Sequence, residues 1–249
     1  MEVHHHPDVH HKPKPWKEYL LEFLMIFLAV TLGFIAESIR ENIADREREK
    51  QYMQSMIEDL KSDTSTLASN IYLKQSRIVM IDSLIYLLSS QNYRTMINEI
   101  YYYGRSISPP ANFSPNDRTI QQLKSSGGLR LIRNVAVSNS IMTYDQKMRL
   151  QIAGTEDEYN IRSEYRKAAI DLYDGKVFNS MLTKIDKIEK PLNNPALFKA
   201  DPATINTLIG NAQYLKKNDQ LQIVRETELK KQATELIKMI QKEYRLENE

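Results

Sequence analysis

Cysteine is absent from the 249-residue chain, and histidine occurs only as His4, His5, His6, His10 and His11, so the stretch from Arg40 to Glu249 has neither. That double absence excludes Ser-His-Asp and Cys-His nucleophile systems, Cys/His zinc sites and the Glu-x-x-His pairs of di-iron proteins from the body. Chemistry there would have to run on carboxylates, lysine, tyrosine or a bound cofactor. Without cysteine there are no disulfides, which fits either side of a membrane and leans towards an extracytoplasmic one. Glycine and proline are scarce, at 7 and 9 residues, which points to long helices and few tight turns. A one-signed field is also missing: 34 basic residues face 32 acidic ones for a net charge of +2. The signs alternate along the chain without a basic patch, so nucleic acid is not an expected partner. With 41% apolar and 27% charged residues, the bulk has the composition of a soluble globular body.

What is present begins with a long apolar run. Leu20 to Ile39 is 20 residues, about 30 Å as a helix and the thickness of a bilayer's hydrocarbon layer. Trp16 and Tyr19 supply interfacial aromatics, with Lys12, Lys14 and Lys17 just outside them. Its acids, Glu22 and Glu37, leave Phe23 to Ala36 uncharged, about 21 Å by the same rise. The run is too long, and too polar at its start, for a cleaved signal peptide, so an uncleaved signal anchor is expected over residues 16–39. Glu22, Ile26, Ala29, Gly33 and Glu37 fall on one face. Ala29 and Gly33 form a small-xxx-small pair that lets two membrane helices approach closely. This face predicts a contact with a protein partner or a second copy; the plainer reading is an incidental glycine and two snorkelling glutamates. Three lysines before the span and Arg40, Arg46, Arg48 and Lys50 after it do not fix orientation. The short leading segment favours a cytoplasmic N-terminus and a periplasmic body on a bacterial inner membrane.

Residues 1–15, with three prolines and no apolar period, read as a disordered tail. Its five histidines are a candidate metal chelator, set against the plainer reading of a solvated tail that has no second shell to choose a metal. No cofactor is implied. From Phe34 to Tyr103 there is neither glycine nor proline, and apolar residues recur at helical steps, so the membrane helix is expected to continue to about Ser90. Residues 40–52 form a charged neck whose narrow stripe allows parallel coiled-coil self-association. Asp63 to Ser65 is the expected kink.

Residues 53–249 are expected to form one all-α domain, an antiparallel bundle of three to four helices. A short helix over Met96–Tyr103 should stop at Gly104. Another should start with Ser114 as N-cap and Pro115 at the first position, then stop at Gly127 and Gly128. From Asn134 a helix is expected to run through Gly154 to about Asp174, burying Ile152 and Tyr159, with Glu156, Asp157 and Glu158 read as a solvated acidic face, set against a divalent-cation site for which the turn geometry is lacking. Val177 to Lys190 reads as a short helix or irregular link. Asp201 should cap a helix through Lys216, followed by a separate one over Asp219–Leu246 that buries Leu221 and Val224. Tyr101, Tyr102 and Tyr103 with Arg130 and Arg133 are a candidate ligand or anion site, against the plainer reading of a helix stop with solvated arginines.

The stretches EVHHHPDVHHKPKPWKEYLLEFLMIFLAVTLGFIAESIREN, EREKQYMQSMIEDLKSD and TIQQLKSSGGLRLIRN resemble a family of uncharacterised single-span membrane proteins of Bacteroidota. The resemblance covers the span and neck closely and the body loosely. It implies a His-bearing tail, one anchor and an all-helical body, and no activity. Two function classes follow. The first is a membrane-anchored scaffold or accessory subunit, not an enzyme; the second is an extracytoplasmic module that binds a small ligand or envelope component and acts through a partner.

Overall fold

The computed structural model describes residues 15–184 and 187–246. His4, His5, His6, His10 and His11, and with them the metal-binding expectation, lie outside the described residues. The protein is all-α, with one long N-terminal helix, α1 (Trp16–Ser89). The chain divides into two compact units, one through Gln51 and one from Tyr52 onwards.

In the first unit every large apolar side chain from Trp16 to Ile43 is exposed. One 18-residue window has a mean hydropathy of 2.2 with none of it buried, so by length and composition this segment can cross a membrane. Beyond it the charges pair along the helix, Arg40 with Glu37 at 2.5 Å and Arg48 with Asp45 at 3.4 Å. Both pairs are exposed, and such pairs contribute little.

The second unit contains the rest of α1 and α2 (Ile97–Ser106), α3 (Arg118–Ser125), α4 (Val135–Ala153), α5 (Thr155–Leu172), α6 (Gly175–Ser180) and α7 (Pro202–Tyr244). Single 3-10 turns span Tyr93–Thr95 and Gly128–Leu131. The expected irregular link after α6 contains a two-stranded antiparallel hairpin, β1 (Leu182–Lys184) and β2 (Lys187–Ile188), in which Leu182 pairs with Ile188. Helices α4 and α5 both pack along α7. Two apolar clusters form the core. One gathers Met53, Met56, Leu60 and Leu67 of α1 with Ile141 and Met148 of α4 and Leu229, Ala233 and Ile240 of α7. The other gathers Ile81, Leu84 and Leu88 with Ile100, Tyr101, Tyr165, Leu172, Leu208 and Leu215.

Several boundaries differ from expectation for identifiable reasons. Helix α1 passes Asp63–Ser65 without interruption. The Thr64 and Thr66 hydroxyls donate to carbonyls one turn back, at 2.8 and 3.1 Å, and the Asp63 carboxylate is used by other elements. Helix α3 starts at Arg118 rather than after Ser114. Its first turn is capped from outside, by Asp59 of α1 accepting the Thr119 N–H at 2.9 Å. Gly127 does take the left-handed conformation that ends α3, with φ 68°. Asn134 and Asp201 cap α4 and α7 as expected, each accepting two backbone N–H groups. The expected uninterrupted helix from Asn134 to Asp174 is broken at Gly154, while the expected pair of C-terminal helices is one helix of 43 residues.

Helix α2 runs through Gly104 instead of stopping there. The glycine serves close approach: an added Cβ would lie 2.0 Å from the Tyr173 hydroxyl and 2.4 Å from its ring. Tyr173 is 2% exposed and its ring stacks on Phe178 at 4.7 Å, so it has nowhere to retreat. Alanine in mid-helix normally gains about 1 kcal/mol over glycine. At this position overpacking of about 1–3 kcal/mol should outweigh that gain. Gly104→Ala is therefore expected to lower the urea midpoint, and a raised midpoint would contradict the tight contact.

Candidate functional site

Between the two apolar clusters lies a layer of buried charge. On α1 the seven-residue rhythm of inward positions continues from Leu67 through Asn70, Lys74 and Arg77 to Ile81, and all are buried. On α7 it runs from Leu215 through Asp219, Gln222 and Glu226 to Leu229, again all buried. On α4 and α5 it passes from Met148 through Gln151, Glu158 and Arg162 to Tyr165. Three cations and three carboxylates thus meet where the helices would otherwise bury leucine.

Each charge has a partner, as burial requires. Arg77 forks onto Asp219 with bonds of 2.6 and 2.7 Å, the bidentate geometry that makes such pairs strong. Arg162 donates to Glu158 at 2.6 Å, and Arg77 approaches the same carboxylate at 4.0 Å. Lys74 reaches Glu226 at 2.8 Å. The amide of Gln151 donates to Gln222 at 2.5 Å and to Glu226 at 3.4 Å. The remaining donors hold the segment between α2 and α3. Lys74 donates to the Ala111 carbonyl at 2.5 Å, Arg77 to that of Pro109 at 2.6 Å, and Arg162 to Pro109 at 2.8 Å and Ser108 at 3.2 Å. A proline-rich stretch cannot form its own ladder of backbone bonds; here buried cations satisfy its carbonyls.

Burial pushes the Arg162 guanidinium below its usual range, with neighbouring Arg77 adding to the effect and Glu158 opposing it. It pushes the Glu226 carboxyl up, against the pull of Lys74. A second polar group sits at the start of α3. Asp63 accepts the Asn116 N–H at 2.7 Å and the Tyr144 hydroxyl at 2.6 Å, and burial raises its carboxyl too.

The residues singled out from sequence fall elsewhere. Glu22, Ile26, Ala29, Gly33 and Glu37 lie along α1 in the first unit, and a Cβ on Gly33 would meet nothing within 4 Å. Tyr101 is fully buried, its hydroxyl donating to the Ala196 carbonyl at 3.0 Å, and it packs with Tyr102 and Tyr103 in the cluster around Leu84 and Leu172. Arg130 and Arg133 are exposed, and their neighbours Leu129 and Ile132 pack in the other cluster. The tyrosines and the segment that carries the arginines thus belong to different clusters. Tyr103 instead lines a shallow open groove with Asp82, Tyr86 and Glu99.

Glu158, expected in solvent, is 4% exposed, while Glu156 and Asp157 are exposed. Ile152, Tyr159, Leu221 and Val224, expected in the core, are exposed at 42%, 65%, 47% and 68%. Among the described residues no group of three or more His, Asp or Glu is placed to hold a metal ion. The layer is therefore a set of mutually neutralised groups around a clamped backbone. Comparison with protein-family models, curated proteins and solved structures returns no match.

Proposed function

We propose that the protein is a membrane-anchored helical bundle that serves as a scaffold or accessory subunit of a bacterial inner-membrane complex, without catalysis of its own. The observation that carries this reading is α1. Its apolar segment has no buried residue in the window that could span a bilayer, yet the same helix supplies Met53, Met56, Leu60 and Leu67 to a packed core. An antiparallel arrangement of α4 and α7 accords with their contacts, since Ser140 meets Met239, Lys147 meets Glu228 and Gln151 meets Gln222. The buried charges neutralise one another and hold backbone, which supports an architectural role over a catalytic one. The Glu22, Ala29, Gly33 and Glu37 face is the natural place for a neighbouring membrane helix, because intramembrane acids face protein or water. The cysteine-free composition favours a periplasmic body.

The test is an alkaline wash of native membranes followed by a mild-detergent pull-down of the full chain. Retention in the membrane and recovery of a stoichiometric partner or a second copy are expected. Release by the wash removes the anchor, and a detergent-extracted chain that sediments alone with nothing copurifying removes the scaffold reading. A reporter fused after Glu249 that is active only in the cytoplasm reverses the orientation.

A further inference from the structure

At the turns of α4 and α7 where Gln151, Gln222 and Glu226 point inward, Leu150 and Val224 stand outside, 64% and 68% exposed. They line a cleft of about 460 Å³ together with Lys147, Gln151, Arg225, Glu228 and Leu229. Small-molecule sites run from about 300 to 1,000 Å³. Three polar groups in and beside this cleft are left uncommitted. Arg225 is exposed and makes no hydrogen bond or ion pair among the described residues. The buried Gln222 accepts from Gln151 at 2.5 Å, yet its own amide nitrogen donates to no described residue. Gln151, 9% exposed, turns its nitrogen inward to Gln222 and Glu226 and leaves its carbonyl oxygen without a donor. Neither glutamine atom is closed off from solvent. Arg225 and Gln222 converge on one spot: a Cβ built on Gly154 would lie 3.4 Å from a guanidinium nitrogen of Arg225 and 3.7 Å from Gln222 Nε2. Because Gly154 has no side chain, two free donors overhang open space at the break between α4 and α5. A cation beside the C-terminus of α4 is favourable in itself. That accounts for Arg225, but not for a buried glutamine with an idle donor, since buried polar groups are normally paired.

We propose that this cleft binds a small amphiphilic carboxylate, a single anionic head on a short apolar tail. The head seats over Gly154, where the planar guanidinium of Arg225 and the amide nitrogen of Gln222 both donate to it. The tail lies along Leu150, Val224 and Leu229, each methylene gaining by leaving water. Charge selects the head. The lining residues carry Lys147 and Arg225 against Glu228, and Lys147 faces Glu228 at 3.6 Å, so one positive charge is left over. That balance suits a carboxylate better than a doubly charged phosphate monoester. The Gln151 oxygen on the cleft wall accepts from a donor on the ligand, or from a water that travels with it. The site lies wholly within the second unit and does not depend on the anchored reading of the first.

The test uses the full chain in maltoside detergent and octanoate bearing a photoreactive diazirine on its tail. Irradiation and peptide mapping by mass spectrometry should place the label within residues 147–154 or 221–229. Unlabelled octanoate should displace it, whereas octan-1-ol at the same concentration should not. Label that reaches residues 20–39 through the micelle should persist under competition, which separates partition from binding. Arg225→Gln should raise the octanoate concentration for half-displacement about tenfold, the loss of one charge-assisted hydrogen-bonded pair. Val224→Asp puts a like charge on the path of the tail and should abolish the saturable label. Lys167→Gln, which removes a charge from an exposed part of α5, should change nothing. All three side chains are exposed, so the variants should keep the fold, as far-ultraviolet circular dichroism checks. Label confined to residues 20–39, displacement by octan-1-ol as readily as by octanoate, or an Arg225→Gln chain that behaves like the parent would each overturn the site.

Discussion

Replacing Asp219 with alanine is expected to lower the unfolding free energy by about 3–5 kcal/mol, the cost of stranding a buried charge. Asp219 is fully buried and takes both arms of the Arg77 guanidinium. Once it is gone, Arg77 keeps the Pro109 carbonyl at 2.6 Å and a carboxylate at 4.0 Å that Arg162 already holds. Neither replaces a bidentate ion pair in a site closed to water. Removing both charges is the informative comparison: Arg77→Met with Asp219→Leu should cost less than Asp219→Ala alone, because no charge is left without its partner. Urea unfolding of the detergent-solubilised chain, followed by far-ultraviolet circular dichroism, measures both variants. A loss below about 1 kcal/mol for Asp219→Ala would put the pair in the class of surface ion pairs and deny the layer its role.

The same pair explains what the sequence concealed. Helical class, the long first helix, the Asn134 and Asp201 caps and the turn at Gly127 were legible because each depends on local chemistry: breaker scarcity, side chains that accept N–H groups, and a residue tolerant of positive φ. The inward face of the helices was legible only where it was apolar. Along α7 the buried positions keep three- and four-residue steps from Leu208 to Ile240, but Asp219, Gln222 and Glu226 occupy the middle. A search for apolar recurrence slips there onto Leu221 and Val224, which point outwards. The sequence therefore reads a separate helix from Asp219 where the structure has one helix throughout. On α5 the same slip takes Tyr159 for core and Glu158 for surface. The usable signal was rhythm, not residue type: the spacing that buries Leu67 and Ile81 on α1 also selects Lys74 and Arg77 between them. The buried layer of Lys74, Arg77, Glu158, Arg162, Asp219 and Glu226 could not be seen in one dimension. Its members are separated by up to 152 positions, as Lys74 and Glu226 are, and only tertiary packing joins them. Gly104 misled for a related reason, since a glycine that lets Tyr173 approach looks the same in sequence as one that ends a helix.

Lys74→Met is expected to be the most pH-sensitive change in the protein. Lys74 is 1% exposed and is the cation nearest Glu226, whose second oxygen, Oε2, is buried without a hydrogen-bond partner among the described residues. With methionine at position 74, Glu226 keeps a 3.4 Å contact from Gln151 and faces the carboxylates of Glu158 and Asp219. The cost at pH 8 should be about 3–5 kcal/mol. Even in the intact protein burial holds the Glu226 carboxyl above its ordinary range, while Lys74 draws it down; without Lys74 it rises further. A carboxyl with a higher pKa folded than unfolded binds its proton preferentially in the folded state. The penalty for its charge is therefore complete above the folded pKa, and it declines as pH falls through that value towards the unfolded value of about 4.3. Within that window the variant should recover up to about 1.4 kcal/mol per pH unit relative to the parent. Asp63 is raised as well, but it is present in both proteins and cancels in the difference. Glu226→Gln added to Lys74→Met removes the titrating group, so that double variant should lose the steep pH dependence of Lys74→Met and differ from the parent with pH only through the parent's own Glu226. What remains is the unmet Ala111 carbonyl, which Lys74 holds at 2.5 Å. Urea midpoints from pH 8 to pH 5 separate the two contributions. An equal loss for Lys74→Met at both ends of that range would mean that Glu226 is not the group left charged in the core.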